Sequence, residues 1–242
     1  MTLKIRRPAY RQPESWDEMP WGVFYRQALT RHLQPCLSKM FGYHLLKIGA
    51  LSSEIDTSDC AIAHQVNVAS SGPNVQVIAE PECLPFACKS IDACLLAHCL
   101  AWSKDPHAIL REVDRVLIDD GWLIISGFNP LSILGAGKLL PGLYHRLPLN
   151  GRMFTQLRMM DWLQLLNYEV VQRTRCQIFP WHQAAEGGIS TCFPAFGCLN
   201  IIVARKRTFP LTRIPAKTSR LPRTFTPVVG AVSRLPCSEN LS

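Results

Sequence analysis

The chain has 242 residues, 48% of them hydrophobic, enough to fill one sizeable α/β core without disulfides or a structural metal. Its net charge of +8 points to nucleic acid until it is located: eight Lys or Arg and only Glu239 lie from Arg205 onward, which leaves residues 1–204 with 18 basic and 17 acidic groups. The body is nearly neutral, so the charge says something about the C-terminal segment and nothing about a basic face on the fold.

At the N-terminus, basic residues are followed by no apolar stretch, so a secretory signal is not expected. Residues 1–40 mix Pro, Trp and charge, then settle into a predicted helix over 21–40 in which Phe24, Leu29, Leu33 and Leu37 recur at helical spacing. This reads as a helical cap leaning on a sheet. Short apolar strands follow at 43–48, 61–68, 75–79, 91–97 and 122–128. Between the last two, Pro106 opens a helix whose Ile109, Leu110, Val113, Val116 and Leu117 share one face. The helix is expected to stop at Asp119-Asp120-Gly121, with the glycine in the left-handed conformation. A crossover helix between apolar strands implies parallel pairing.

Further on, 155–167 reads as a helix burying Leu157, Trp162, Leu165 and Leu166, and strands at 168–178 and 198–204 should pair antiparallel. Beyond 206 the texture turns Pro-rich and basic with little apolar periodicity, so residues 207–242 are expected to be a disordered tail. A solvated terminus is the plain reading of that tail, and a weak nucleic-acid contact is the alternative. Ten scattered cysteines, several inside apolar runs, suit a reducing cytoplasm. Cys83, Cys88, Cys94 and Cys99 lack paired Cys-x-x-Cys spacing, so no metal site is expected. The apolar window 123–143 is broken by Asn129, Pro130, Lys138 and Pro141 and is not read as a membrane span.

Four words in the middle of the chain carry a resemblance: Leu84-Pro85-Phe86, Ser90-Ile91-Asp92-Ala93, Leu110-Arg111-Glu112-Val113-Asp114-Arg115-Val116-Leu117 and Gly121-Trp122-Leu123-Ile124-Ile125. With the closing helix Trp162-Leu163-Gln164-Leu165-Leu166 and a last strand ending at Ala204-Arg205-Lys206, they make residues 41–206 resemble a class I S-adenosylmethionine-dependent methyltransferase of the type 11 branch. The resemblance implies a three-layer Rossmann-like α/β sheet, mostly parallel with an antiparallel last strand. It also implies S-adenosylmethionine as cofactor and an unidentified small or medium methyl acceptor.

In a parallel sheet a ligand sits beyond the carboxyl ends of the strands, where strand order reverses. Gly49 follows the first strand and would admit close backbone approach, Glu80 and Glu82 follow the third and could accept from an adenine amino group, and His98 follows the fourth. By motif position the resemblance assigns cofactor contacts to Gly49, Glu80, Glu82, Leu84 and His98. His98 and His182 are the candidate bases should an acceptor proton need removal, and Trp181 and His182 lie where this family places acceptor-covering insertions. Each has a plainer reading: a turn glycine, solvated loop carboxylates, an interior histidine. Asp92 and Asp105 suit structural roles at a strand start and a helix start.

The family's acidic-x-Gly-x-Gly-x-Gly motif falls here on Lys47, Ile48, Gly49, Ala50, Leu51, Ser52 and Ser53, so the acid and two glycines are missing. Segment 50–60 is too short and polar for a full helix, and the second strand ends in Ser70-Ser71 with no acid for ribose hydroxyls. These departures keep a second reading open, a methyltransferase fold without turnover that serves as a binding or scaffold protein. A nicotinamide dehydrogenase is disfavoured, since no Gly-x-Gly-x-x-Gly follows any strand.

Overall fold

In chain order the elements are α1 (Gly22–Leu37), β1 (His44–Ile48), the single turn α2 (Ala50–Ser53), β2 (His64–Ala69), β3 (Val77–Ile78), β4 (Ile91–Ala97), α3 (Pro106–Val116), β5 (Leu117–Phe128), α4 (Gln156–Leu165), β6 (Tyr168–Cys176) and β7 (Leu199–Lys206). One-turn 3-10 helices occupy Trp16–Glu18 and Cys99–Ala101. The computed structural model describes residues 12–132, 135, 151–176 and 197–208, all in a compact unit that ends at Thr208. The expected tail from residue 209, together with Trp181 and His182, lies outside the described residues.

The strands form one seven-stranded sheet in the order β3-β2-β1-β4-β5-β7-β6. Strands β1 to β5 pair in parallel, while β7 runs antiparallel to both of its neighbours, β5 and β6. Strand order reverses between β1 and β4, because β2 and β3 continue to one side and β4 starts the other.

Alternating side chains give the sheet two cores. Leu45, Leu95, Ile124 and Ile201 face one layer with α1 and Trp16. Leu46, Ile48, Leu96, Ile125 and Ile202 face the other, built on α3 and α4. The architecture is therefore three layers, as the sequence indicated. Among the described residues no helix is long and apolar enough to cross a membrane.

Local chemistry explains where the elements start. Asp105 caps α3 by accepting from the backbone N–H of His107 (3.0 Å) and Ala108 (3.2 Å), with Pro106 in the first turn. Asp92 holds the start of β1, accepting from the N–H groups of Tyr43 (3.0 Å) and His44 (2.9 Å). Both acids thus take the structural roles expected of them.

Three expectations need correction. Helix α3 stops at Val116, before the expected 119–121, and within β5 it is Asp120, and not Gly121, that takes the left-handed region (φ 62). Gly121 is needed for closeness instead: a Cβ there would meet Leu117 Cγ at 2.6 Å and the Asp92 carbonyl at 3.1 Å. The buried side of α4 is Gln156, Met159, Trp162 and Leu163, whereas Leu157 and Leu165 are 65% and 79% exposed. The third strand shrinks from five residues to the pair Val77–Ile78 at the sheet edge.

Candidate functional site

Beyond the carboxyl ends of β2, β3 and β4, next to the reversal of strand order, lies a cleft of about 150 Å³. Its walls include Gln12, Ser70, Glu80, Glu82, Cys99 and Trp102. Two of the residues singled out in the sequence, Glu80 and Glu82, therefore line it together. Their carboxylates are fixed by neighbours across the opening: Ser70 Oγ donates to Glu80 Oε2 (3.1 Å) and Ser103 Oγ donates to Glu82 Oε1 (2.7 Å). Both keep lone pairs free for a ligand donor.

The loop after Glu82 is clamped from α3. Arg115 donates to the carbonyls of Leu84 (3.0 Å) and Phe86 (2.9 Å) while ion-paired with Glu112 (2.7 Å), and Glu112 accepts from the Leu84 N–H (2.8 Å). Leu84 itself is buried in the α3 core and does not line the cleft. Its role is to seat the loop that carries the acids.

Gly49 (φ 92) ends β1 in a conformation that favours glycine, and its N–H donates to the Val68 carbonyl at 2.7 Å. A Cβ placed on it would lie 3.2 Å from Gln12 Nε2 and 3.3 Å from the Cys99 Cβ, so the space above this turn is taken by the protein's own side chains. Burial first, with Glu82 adding to it, pushes the Cys99 thiol up to about 12, which keeps it protonated and inert.

His98 departs from the expectation that it faces the reaction space. It is 1% exposed, in a left-handed conformation (φ 55), with Trp16 on one side (ring centres 5.1 Å apart) and Phe128 on another (4.2 Å). Neither ring nitrogen has a hydrogen-bond partner among the described residues, and burial pushes its pKa down to about 3. His98 is a neutral imidazole under a tryptophan lid. The other candidate base, His182, lies outside the described residues.

Lys47, which stands where the family has an acid, turns away from the cleft. Its Nζ donates to the Ile55 carbonyl (3.0 Å), and burial lowers its pKa against the opposing pull of Asp56. Leu51 is fully buried in the α1 core, its carbonyl accepting from the Trp16 indole (2.8 Å). Ser52 ties the turn to β4, donating to the Ile48 carbonyl (2.5 Å) and accepting from the Ala97 N–H (2.8 Å). Neither Lys47 nor Leu51 fills the cleft.

Trp102 was not singled out in the sequence. It lines the cleft, while its Nε1 is enclosed by the protein without a partner among the described residues, as is Gln12 Nε2. The two fixed carboxylates match the amino and hydroxyl donors of an adenosyl group. The volume does not admit a whole nucleoside-amino-acid conjugate, since ligand pockets start at about 300 Å³. The residues present thus fit the adenosyl half of the cofactor that the family resemblance implies, and the turn at Gly49 is covered by Gln12.

Residues 39–125 match the family model described as a methyltransferase domain. The chain is 54% identical over 219 residues to the uncharacterized protein YafS of Escherichia coli strain K12, covering 90% of this chain and 91% of that one. Its fold is similar to a SAM-dependent methyltransferase of Thermotoga maritima described as a possible histamine N-methyltransferase (TM-score 0.52, 18% identity, 76% of this chain and 95% of that chain). It is also similar to geranyl diphosphate C-methyltransferase from Streptomyces coelicolor A3(2), solved with Mg2+, geranyl diphosphate and S-adenosyl-L-homocysteine (TM-score 0.51, 13% identity, 75% and 77%). At such identities the two solved structures speak for the fold.

Proposed function

From the premise that the chain belongs to the class I methyltransferases, type 11 branch, we propose that it binds S-adenosylmethionine with the adenosyl half in this cleft and methylates a small or medium acceptor. The observation that carries the reading is the pairing of Glu80 and Glu82 on one cleft at the edge where strand order reverses. When bound, the cofactor supplies a methyl carbon activated by its sulfonium, so alignment of the acceptor can provide most of the catalysis. Glu80 would accept from the adenine amino group, Glu82 and Ser70 would offer oxygens toward the ribose, and Trp102 would supply apolar wall. Such a cleft needs no catalytic triad. His98 is neutral at ordinary pH and can take a proton only once Trp16 uncovers it.

Calorimetry with S-adenosylmethionine, together with mass spectrometry of ligands carried through native purification, tests the assignment. Saturable heat with one equivalent of cofactor is expected, and no heat at millimolar cofactor would sink it.

A catalytically inactive binding or scaffold protein is the second reading, favoured by Lys47, Leu51 and Ser53 at the acid and glycine positions and by Gln12 over Gly49. Cofactor binding with no S-adenosylhomocysteine formed in a metabolite extract would favour it.

A further inference from the structure

The contact between Gln12 and Gly49 is part of a longer arrangement. Residues 12–19 run across the carboxyl end of β1 and are anchored most firmly at Trp16, which is fully buried and donates from its indole to the Leu51 carbonyl (2.8 Å), with Met19 buried in the same core. Gly22 makes room for that anchor: a Cβ there would lie 1.8 Å from the Trp16 carbonyl oxygen. On the near side of the anchor Pro13 is buried, while the polar ties of residues 12–15 are few and exposed. Glu14 accepts from Ser71 Oγ (3.1 Å) and donates from its N–H to Glu18 Oε2 (3.3 Å), both exposed to water, and Gln12 Nε2 rests over Gly49 with no hydrogen-bond partner among the described residues.

A firmly rooted tryptophan with a lightly held segment leading away from it is the construction of a hinged flap. The flap lies on the one glycine left in the first-strand motif, the place where backbone must approach a ligand closely. It leaves the other end of the cleft open. We infer that residues 12–15, hinged at Trp16, are an internal competitor for the surface of Gly49: seated, they restrict the cleft to an adenosyl group without its amino-acid tail, and the full cofactor binds only as they lift.

This inference rests on the cofactor reading above. Its consequence is a lowered apparent affinity, because a ligand that needs the lifted state is penalised by the fraction of chains in which the flap is seated. Contacts as few and as exposed as these can be out-competed by a ligand.

The test is calorimetry on the full chain with two probes, S-adenosylmethionine and 5′-methylthioadenosine, for the wild type, Gln12→Ala and Glu14→Ala. Gln12→Ala removes a side chain whose amide nitrogen has no hydrogen-bond partner among the described residues, so it should fold. Glu14→Ala loosens the flap without touching the cleft wall, of which Glu14 is not part. Both variants should bind S-adenosylmethionine at least fivefold more tightly than the wild type, with 5′-methylthioadenosine changed by less than twofold. Unchanged or weaker S-adenosylmethionine binding in both variants, with the wild type still binding, overturns the flap and spares the cofactor reading. If neither probe binds any of the three proteins, the cofactor reading fails and the flap with it.

Discussion

The indole of Trp16 stands edge-on to the imidazole of His98, with ring centres 5.1 Å apart and planes at 89°. The two residues are far apart in sequence, yet their contact decides the electrostatics of the β4 end. Sealed between Trp16 and Phe128, His98 is 1% exposed and has no hydrogen-bond partner among the described residues to stabilise its charged form.

The first prediction concerns that imidazole. Its folded pKa, about 3, lies below the ordinary 6.5, so the unfolded chain binds the proton first on acidification. Its contribution is therefore complete above about pH 6.5 and is lost progressively as pH falls toward 3. Between pH 7 and pH 5 this single group should remove up to about 2 kcal/mol of stability. Urea titrations of the wild type and His98→Gln should differ in pH dependence by that amount. An imidazole resonance for His98 titrating near its ordinary midpoint would sink the idea.

A second expectation follows from the two sides of α4. Leu163 is fully buried and Leu165 is 79% exposed, although they are two residues apart and chemically identical. Leu163→Ala should cost about 2–5 kcal/mol through lost contacts and a residual cavity, and Leu165→Ala should stay within about 0.5 kcal/mol. Comparable melting temperatures for the two variants would mean that α4 is rotated from its place here.

Glu80 offers the sharpest test of the cleft. It is exposed and its only described tie is the hydroxyl of Ser70, so Glu80→Ala should leave the melting temperature nearly unchanged. If its carboxylate accepts from the adenine amino group, S-adenosylmethionine should bind roughly tenfold more weakly, the effect of one charge-assisted hydrogen bond. An affinity equal to the wild type would remove Glu80 from the site.

The clamp beneath the acids should respond to both mutation and pH. Hydrogen bonds from Arg115 hold the Glu112 carboxyl below the usual carboxylate range, so its stabilising effect is present above about pH 4.5 and is lost as pH falls through the lowered value. Arg115→Lys cannot reproduce the fork that reaches Leu84, Phe86 and Glu112 together. Because the guanidinium is partly exposed, the expected loss is modest, about 1–2 kcal/mol. Faster hydrogen exchange at the Leu84 amide should accompany it, and an unchanged exchange rate would show that the clamp does not set the loop.

Much of the scaffold was legible in the residues. The Asp105-Pro106 cap, the apolar face of α3, the β4 run and the antiparallel β6 and β7 pair all rest on local signals, namely periodicity and capping chemistry, which act over a few residues whatever surrounds them. The pairing of Glu80 with Glu82 on one wall was legible too, because both follow one strand. Other features depended on partners distant in the chain. Two leucines of α4 were read as buried, since hydrophobicity alone does not say which of two apolar stripes meets the sheet. Lys47 falls on the family's acid position, yet it is tied to the Ile55 carbonyl, because strand alternation sends its side chain to the α1 face. Only the tertiary structure could bring Gln12 over Gly49, Trp16 over His98 and Trp102 to the cleft wall, since no local pattern encodes contacts that form when distant segments pack.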